Sequence, residues 1–187
     1  MREKRKFIVL VAVMALALAF LSGYGSTYAA TSVFVNEFHY DNDSTDTGEA
    51  IEIAGPAGTD LTGWSLALYN GNGGAVYDTI NLSGIISNQQ SGFGTLSFAT
   101  PGLQNGSPDG FALVDSSNTV IQFLSYEGSF TAVGGPADGM ISTDVSISEP
   151  SDTTVGYSLQ LIGTGSMAED FTWILSLIHI SEPTRPY

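Results

Sequence analysis

An acidic, hydroxyl-rich segment near the start of the chain carries the residues best suited to chemistry. Residues 41–49 read DNDSTDTGE, and a further glutamate follows three positions later. Counted from the first aspartate, oxygen-bearing side chains fall at positions 1, 3, 5, 7, 9 and 12, which imitates the ligand spacing of an EF-hand calcium loop. Calcium takes six to eight oxygen ligands, several of them carboxylates, so the segment is a candidate calcium site. Its carboxylates are Asp41, Asp43, Asp46, Glu49 and Glu52.

The segment departs from a true EF-hand in two ways. Position 6 of that motif is glycine, whereas here it is Asp46, and the flanking residues have strand rather than helix patterns. We therefore reject an EF-hand and expect a looser calcium site between strands. Calcium is the one cofactor that the sequence suggests. The alternative is a solvated loop, in which Asp, Asn, Ser and Thr are present because they favour turns.

Other catalytic arrangements lack a necessary partner. His39 is the only histidine before residue 179, and no G-x-S-x-G sequence marks a serine nucleophile. We expect His39 to be a hydrogen-bonded or exposed residue at a strand end. Glu37, Glu49 and Glu52 are conceivable as a carboxylate pair for glycoside cleavage, but nothing in the sequence fixes the separation that such a pair needs. We predict no catalytic residue in this chain, and acidic side chains on the outer faces of strands.

The distribution of charge excludes one large class of ligands. All five lysines and arginines lie near the ends of the chain, and residues 31–174 contain 17 Asp or Glu and no basic side chain. Nucleic-acid binding takes much of its affinity from Lys and Arg that neutralise phosphates. We therefore predict that this segment has no direct nucleic-acid binding and that it attracts cations. The chain has no cysteine, so disulfides and thiolate sites are excluded.

The N-terminus has the three parts of a secretory signal peptide. Residues 2–6 are mostly basic, residues 7–21 form an uninterrupted apolar run, and Thr27 and Ala29 stand at the −3 and −1 positions of a cleavage site. The alternative is a membrane anchor, but the run is shorter than the roughly 20 apolar residues that a span needs. We predict a signal peptide over residues 1–29, a secreted, extracellular product and no membrane span after cleavage.

The C-terminus breaks the pattern of the preceding segment. Residues 175–185 read LSLIHISEPTR, which resembles, codon by codon, the translation of a transposase-type sequencing adapter. We therefore expect residues 175–187 to be adapter-derived rather than native, and the natural protein to continue past Ile174. The alternative is a genuine strand-forming or amphipathic tail. The central segment, residues 30–174, is long enough for one domain with its own core.

Short strand patterns separated by turn signals fill the central segment. They predict strands at residues 33–38, 49–54, 64–69, 76–82, 92–99, 111–115, 119–126 and 157–162, with another beginning at 171–173. The sequence NGNGG at 70–74 predicts a tight hairpin. We expect the flanking Tyr69 and Tyr77 to be partly exposed, where they would suit stacking on sugars. No helix pattern is present, so the fold class is all-β, and the spacing of the strands predicts a β-sandwich.

Five blocks of sequence carry a family resemblance. They are Asn36-Glu37, EAIEI at 49–53, DLTGW at 60–64, PDGFALVD at 108–115 and VIQFLSYEG at 120–128. In order and spacing they resemble a lamin-tail domain, over most of residues 33–173. The resemblance implies an immunoglobulin-like β-sandwich of the kind also found in secreted bacterial proteins. It further implies a larger parent protein, because such domains accompany other modules, including extracellular nucleases and phosphatases.

Together these patterns favour a secreted, non-catalytic, lamin-tail-like accessory or adhesion module of a larger extracellular protein. Its partners would be the other domains of that protein and an extracellular polysaccharide or cell surface. Two alternatives stay open. The chain is the N-terminal fragment of an extracellular nuclease or phosphoesterase whose catalytic domain is missing, or it is a calcium-dependent carbohydrate- or surface-binding module.

Overall fold

This computed structural model describes residues 31–178 of the chain. These residues form ten strands, most of them in segments where apolar and polar residues alternate. One 3₁₀ turn, Ala168–Asp170, is present, and this part of the chain contains no α-helix. The strands are β1 (Phe34–His39), β2 (Ala50–Pro56), β3 (Ser65–Asn70), β4 (Ala75–Asn81), β5 (Phe93–Ala99), β6 (Asp109–Val114), β7 (Val120–Tyr126), β8 (Thr143–Asp144), β9 (Tyr157–Gly163) and β10 (Phe171–Leu177).

The strands form two five-stranded sheets, with the orders β10-β9-β1-β2-β5 and β4-β3-β6-β7-β8. Neighbouring strands are antiparallel, apart from the parallel pair β7 and β8. The chain passes between the sheets after β2, β4, β5 and β8, so loops at both ends of the strands tie the two layers together. This architecture confirms the predicted all-β class.

The core lies between the sheets and contains one side-chain layer from each. Phe38 of β1 is fully buried at its centre. Its ring centroid lies 5.1 Å from that of Phe111, 5.7 Å from Tyr126 and 5.3 Å from Trp173. The contacts with Phe111 and Trp173 are edge-to-face, the arrangement that aromatic pairs favour. The aliphatic part of the core includes Val35, Ile51, Ile53, Leu66, Leu68, Leu113 and Leu159.

A β-bulge in β1 changes how this strand is hydrogen-bonded. Its pairing with β2 shifts between Val35 and Glu37, which makes Asn36 the extra residue. β9 pairs with β1 at Glu37 and Phe38. The amide of Val35 lies beyond that ladder and donates to Oε1 of Gln122 at 2.7 Å. Because Gln122 belongs to β7 of the other sheet, this hydrogen bond joins the two sheets directly.

The edge strand β5 is protected by a glutamine side chain. Gln89 precedes β5, and its Oε1 accepts a hydrogen bond from the amide of Thr95 at 2.9 Å. Its Nε2 donates to the carbonyl of Thr95 at 3.3 Å. The side chain therefore occupies the place of a neighbouring strand and satisfies both backbone groups at this point of the edge.

The outer face of the second sheet is covered by residues 129–142, which pack Phe130 against it. Tyr69 points to this face, where its hydroxyl donates to the carbonyl of Gly134 at 3.1 Å and accepts from the amide of Ala137 at 2.9 Å. Tyr69 is 0 % exposed. The expected partial exposure of Tyr69 is therefore wrong, because an irregular segment forms a third layer above this part of the sheet.

The eight complete predicted strands agree with the observed bounds to within two residues, and two other strands differ more. β8 was not predicted, since it has two residues and lies in a segment without alternation. β10 continues past the predicted 171–173, and Leu175 and Leu177 pair with Leu159 and Tyr157.

Residues 1–30 and 179–187, and with them the predicted signal peptide, lie outside the described part of the chain. No helix of residues 31–178 has the length and apolar character needed to cross a membrane.

Truncation of Phe38 should destabilise the protein strongly. In Phe38→Ala a cavity opens between the sheets, and we expect the free energy of unfolding to fall by about 3–5 kcal/mol in urea denaturation. The matched control is Ile85→Ala, because Ile85 is 62 % exposed. Its truncation should change the free energy of unfolding by no more than about 0.5 kcal/mol. Equal losses in the two variants would contradict the placement of Phe38 in the core.

Candidate binding site at one end of the sandwich

Three loops meet at one end of the sandwich. They are the β1–β2 loop (residues 40–49), the β5–β6 loop (residues 100–108) and the β3–β4 hairpin loop (residues 71–74). Antiparallel pairing brings them together, because β1, β3 and β5 end at the edge where β2, β4 and β6 begin. Nδ2 of Asn105 donates to Oδ2 of Asp46 at 3.3 Å. The β1–β2 and β5–β6 loops are therefore in direct contact.

The hairpin loop and the β5–β6 loop enclose an open cleft of about 660 Å³. Nδ2 of Asn70 donates to Oε1 of Gln104 at 2.7 Å, which joins the two walls. A cleft of this volume falls in the range of small-molecule sites, although such sites are usually more apolar. The polar residues that line it are Asn70, Asn72, Gln104, Asn105, Ser107 and Asp109.

Asp109, the first residue of β6, fixes the shape of the cleft. It is buried, and its Oδ1 accepts a hydrogen bond from the amide of Gly71 at 2.8 Å. Its Oδ2 accepts from the amide of Gly106 at 2.7 Å. Gly71 has no room for a side chain, because an added Cβ would collide with the carbonyl oxygen of Pro108. One carboxylate therefore holds both walls of the cleft, and hydrogen bonds to a carboxylate are stronger than those between neutral groups.

Buried tyrosines support the β5–β6 loop from the core. The amide of Gln104 donates to the hydroxyl of Tyr77 at 3.0 Å, and the hydroxyl of Tyr126 donates to the carbonyl of Gln104. Tyr126 stacks on Tyr40 at 3.9 Å between ring centroids. Burial raises the pKa of Tyr77 to about 12 and raises the pKa of Tyr126, so both stay protonated. Tyr77 is half-buried, as expected, but its hydroxyl positions a loop.

The structure brings two of the five predicted calcium ligands together. Asp41 is nearly buried, at 7 % exposure. Burial raises the pKa of its carboxyl, and the neighbouring negative charge of Asp46 raises it further. Oδ1 of Asp46 accepts from the amide of Asn42 at 3.3 Å. Two carboxylates this close create a negative potential that favours a proton or a cation between them.

The other three predicted ligands have separate surroundings. Asp43 is exposed. Glu49 accepts a hydrogen bond from the amide of Gly102 at 3.0 Å, and Glu52 accepts one from Nδ2 of Asn36 at 2.6 Å. Within residues 31–178, no group of three or more Asp, Glu or His side chains is arranged to hold a metal ion. The five carboxylates do not converge in this arrangement, and calcium binding stays a prediction.

Of the three glutamates considered for glycoside cleavage, Glu37 and Glu52 lie in the sheet and Glu49 lies in the β1–β2 loop, and none of them lines the cleft. Glu37 and Glu52 are direct cross-strand partners on β1 and β2, and both are buried. The hydroxyl of Ser158 donates to Glu37. These two acidic residues lie on the outer face of the sheet, where they are enclosed and hydrogen-bonded.

His39 is buried, with both ring nitrogens next to hydrogen-bond acceptors. Nδ1 lies 2.9 Å from Oε1 of Glu149, and Nε2 lies 3.1 Å from Oδ1 of Asn42 and 3.2 Å from the carbonyl of Thr47. Glu149 also accepts from the amide of Tyr40 at 2.7 Å. Burial lowers the pKa of His39, but the hydrogen bond and charge of Glu149 together with the hydrogen bonds to Asn42 and Thr47 outweigh it, so the pKa is raised. His39 closes the β1–β2 loop, as expected for a hydrogen-bonded strand-end residue.

Sequence reasoning missed the residues that form the cleft. Gln104, Asn105 and Asp109 lie in a segment rich in Pro and Gly, whose pattern indicates turns and nothing more specific. The available signal was the Asn-Gly pair at 105–106, which matches the Asn-Gly pairs of the hairpin. Turn propensity alone does not show that two such turns face each other.

The chain matches no protein-family model, no curated protein and no solved structure. The resemblance to lamin-tail domains therefore stays a prediction.

The ion pair of His39 should make stability depend on pH. Because the pKa of His39 is raised in the folded state, its contribution is fully present below the unfolded pKa of about 6.5. It is lost as the pH rises through the higher folded pKa. We expect the difference in melting temperature between the wild type and His39→Gln to shrink from pH 6 to pH 9.

The comparison of the wild type with His39→Gln isolates the effect of His39 titration on the melting temperature. The second histidine, His179, and all other titrating groups are present in both, so their contributions cancel in the difference. A gap in melting temperature that grows as the pH rises would contradict the ion pair.

Proposed function

We propose that this chain is a secreted, non-catalytic accessory or adhesion module that binds neutral, hydroxyl-rich polymers in the amide-lined cleft. The observation that carries this proposal is the cleft of about 660 Å³ with Asn72, Gln104 and Asn105 on its walls. A side-chain amide both donates and accepts hydrogen bonds, and a sugar hydroxyl does the same, so the two groups match without any net charge.

The charge of the surroundings favours a neutral ligand over an anionic one. Residues 31–174 contain no lysine or arginine, so phosphates, nucleic acids and acidic glycans would meet only repulsion. Asp109 is the one charged residue that lines the cleft, and its two oxygens already hold the backbones of both walls. The walls are therefore fixed before a ligand arrives, which reduces the entropy lost on binding.

We further propose that the sandwich is immunoglobulin-like and of lamin-tail type. The positions of the five resembling blocks support this. Residues 36–37 lie on β1, and residues 49–53 begin one residue before β2 and cover its first four residues. Residues 60–64 precede β3, residues 108–115 span β6, and residues 120–128 span β7. The blocks thus coincide with strands, or with turns that lead into them, in both sheets.

Secretion and a larger parent protein are part of this proposal. The signal-peptide pattern of residues 1–29 supports export. The competing proposal is that the parent is an extracellular nuclease or phosphoesterase, with catalysis in another domain. Sequencing the gene beyond the codon for Ile174 separates the two, since an in-frame catalytic domain would favour the enzyme and an in-frame non-catalytic module would favour the accessory role. An early stop would remove the larger parent protein from both.

A glycan array with the full chain tests the cleft. We expect binding to at least one neutral polysaccharide and none to acidic ones. In the double variant Asn72→Ala with Asn105→Ala the affinity should fall about tenfold, since each lost hydrogen bond contributes about 0.5–1.5 kcal/mol. Asn81→Ala is the matched control, because Asn81 is exposed at the far end of β4. A blank array, or a double variant that binds like the control, would remove the proposal.

Calcium-dependent binding is the second candidate function. It is favoured by the proximity of Asp41 and Asp46: burial raises the pKa of the Asp41 carboxyl, and the negative charge of Asp46 raises it further. Those two carboxylates would hold the ion, and the other oxygens of its six to eight would come from loop carbonyls or water. Bound calcium would neutralise the repulsion and stiffen the β1–β2 loop beside the cleft.

A melting experiment with calcium tests this second candidate. At a calcium concentration ten times the dissociation constant, binding should stabilise the folded chain by about 1.4 kcal/mol. Asp46→Asn should abolish the shift in melting temperature. Glu169→Gln removes the same charge from an exposed site next to the start of β1, away from the loop, and should keep the shift. No shift for the wild type at millimolar calcium would exclude the ion.

A further inference from the structure

All three asparagines that line the cleft are followed by glycine. The pairs are Asn70-Gly71, Asn72-Gly73 and Asn105-Gly106, and the chain contains no other Asn-Gly pair. Asn-Gly is the sequence most open to spontaneous deamidation, because glycine has no side chain to hinder attack by its own backbone nitrogen. The three sites have the same local chemistry, so any difference in their reactivity must come from the fold.

Deamidation needs only the chain and water. The backbone nitrogen of the glycine attacks Cγ of the preceding asparagine, a new C–N bond forms, and the side-chain nitrogen leaves as ammonia with the proton of the amide. Water then opens the resulting five-membered imide at one of its two carbonyls. The product is aspartate, or isoaspartate in which the chain continues through the side-chain carbon.

Asp109 binds the attacking nitrogen at two of the three sites. The amide of Gly71 donates to its Oδ1 at 2.8 Å, and the amide of Gly106 donates to its Oδ2 at 2.7 Å. The attacking nitrogen must lose its proton, and a carboxylate that accepts this proton in a hydrogen bond disfavours the resulting anion. The same bonds hold the two glycines in place, so Asp109 opposes deamidation of Asn70 and Asn105.

The third site has no such protection. Asn72 and Gly73 are exposed, and a Cβ added at Gly73 would meet no atom within 4 Å. The backbone hydrogen bonds of residues 31–178 include none from the amide of Gly73. We propose that Asn72 is a site of spontaneous deamidation and that Asp109 protects the other two Asn-Gly pairs. The reaction would place a new carboxylate on the wall of the cleft.

Peptide mapping of aged protein tests the proposal. The full chain is incubated at pH 8 and 37 °C, with a parallel sample in urea, and both are digested with chymotrypsin. Trypsin is unsuitable, because residues 31–174 contain no lysine or arginine. Fragmentation spectra separate Asn70 from Asn72. In the folded sample Asn72 should deamidate about tenfold or more faster than the other two, which is the effect of a charged hydrogen bond of about 1.5–3 kcal/mol.

The urea sample and one variant assign the difference to the fold and to Asp109. In urea the three rates should converge, since each site has the same Asn-Gly pair and the fold no longer distinguishes them. In Asp109→Ala both acceptor oxygens are lost, so Asn70 and Asn105 should both react at rates near that of Asn72. Circular dichroism shows whether the variant is folded, and Asn72→Gln identifies the Asn72 product. Equal rates in the folded wild type would overturn the proposal, as would full protection in folded Asp109→Ala.

Discussion

Two buried carboxylates, those of Asp109 and Glu149, hold the loop end of the sandwich together. A buried charge is costly unless it is hydrogen-bonded or paired, and residues 31–174 provide no lysine or arginine for pairing. Asp109 instead accepts from the amides of Gly71 and Gly106, and Glu149 from the amides of Tyr40 and Asp41 and from His39. The loops are therefore fixed by short contacts to the main chain and not by long, mobile basic side chains.

Most of the fold could be predicted because the sequence pattern of each strand is local. Alternating apolar residues and the turn signals between them depend only on neighbours in the sequence, and the all-β class follows from them. Contacts between distant segments were not accessible in this way. Tyr69 is buried because residues 129–142, which have no periodic pattern, lie over it. β8 was missed for the same reason, since two residues beside β7 give no alternation to read.

The candidate site was predicted only in part. The spacing of acidic residues in the β1–β2 loop identified a region of high negative charge, and the structure does bring Asp41 and Asp46 together there. Spacing did not show that Glu49 and Glu52 would find other partners, because side-chain direction depends on pairing with β5 and on the bulge in β1. The role of Asp109 depends on a hydrogen bond to a residue 38 positions earlier, and no local pattern encodes it.

The hydrogen bonds between the Gln89 side chain and Thr95 of β5 affect how the protein resists aggregation when salt is present. At low ionic strength, the formal charge of −17 over residues 31–174 would keep copies apart. At an ionic strength of about 0.15 M the range of this repulsion falls to about 8 Å, so charge no longer guards an exposed strand edge. Gln89 blocks the β5 edge by hydrogen bonds that salt does not weaken in this way. The protein thus keeps a safeguard against edge-to-edge aggregation in the conditions where its charge stops providing one.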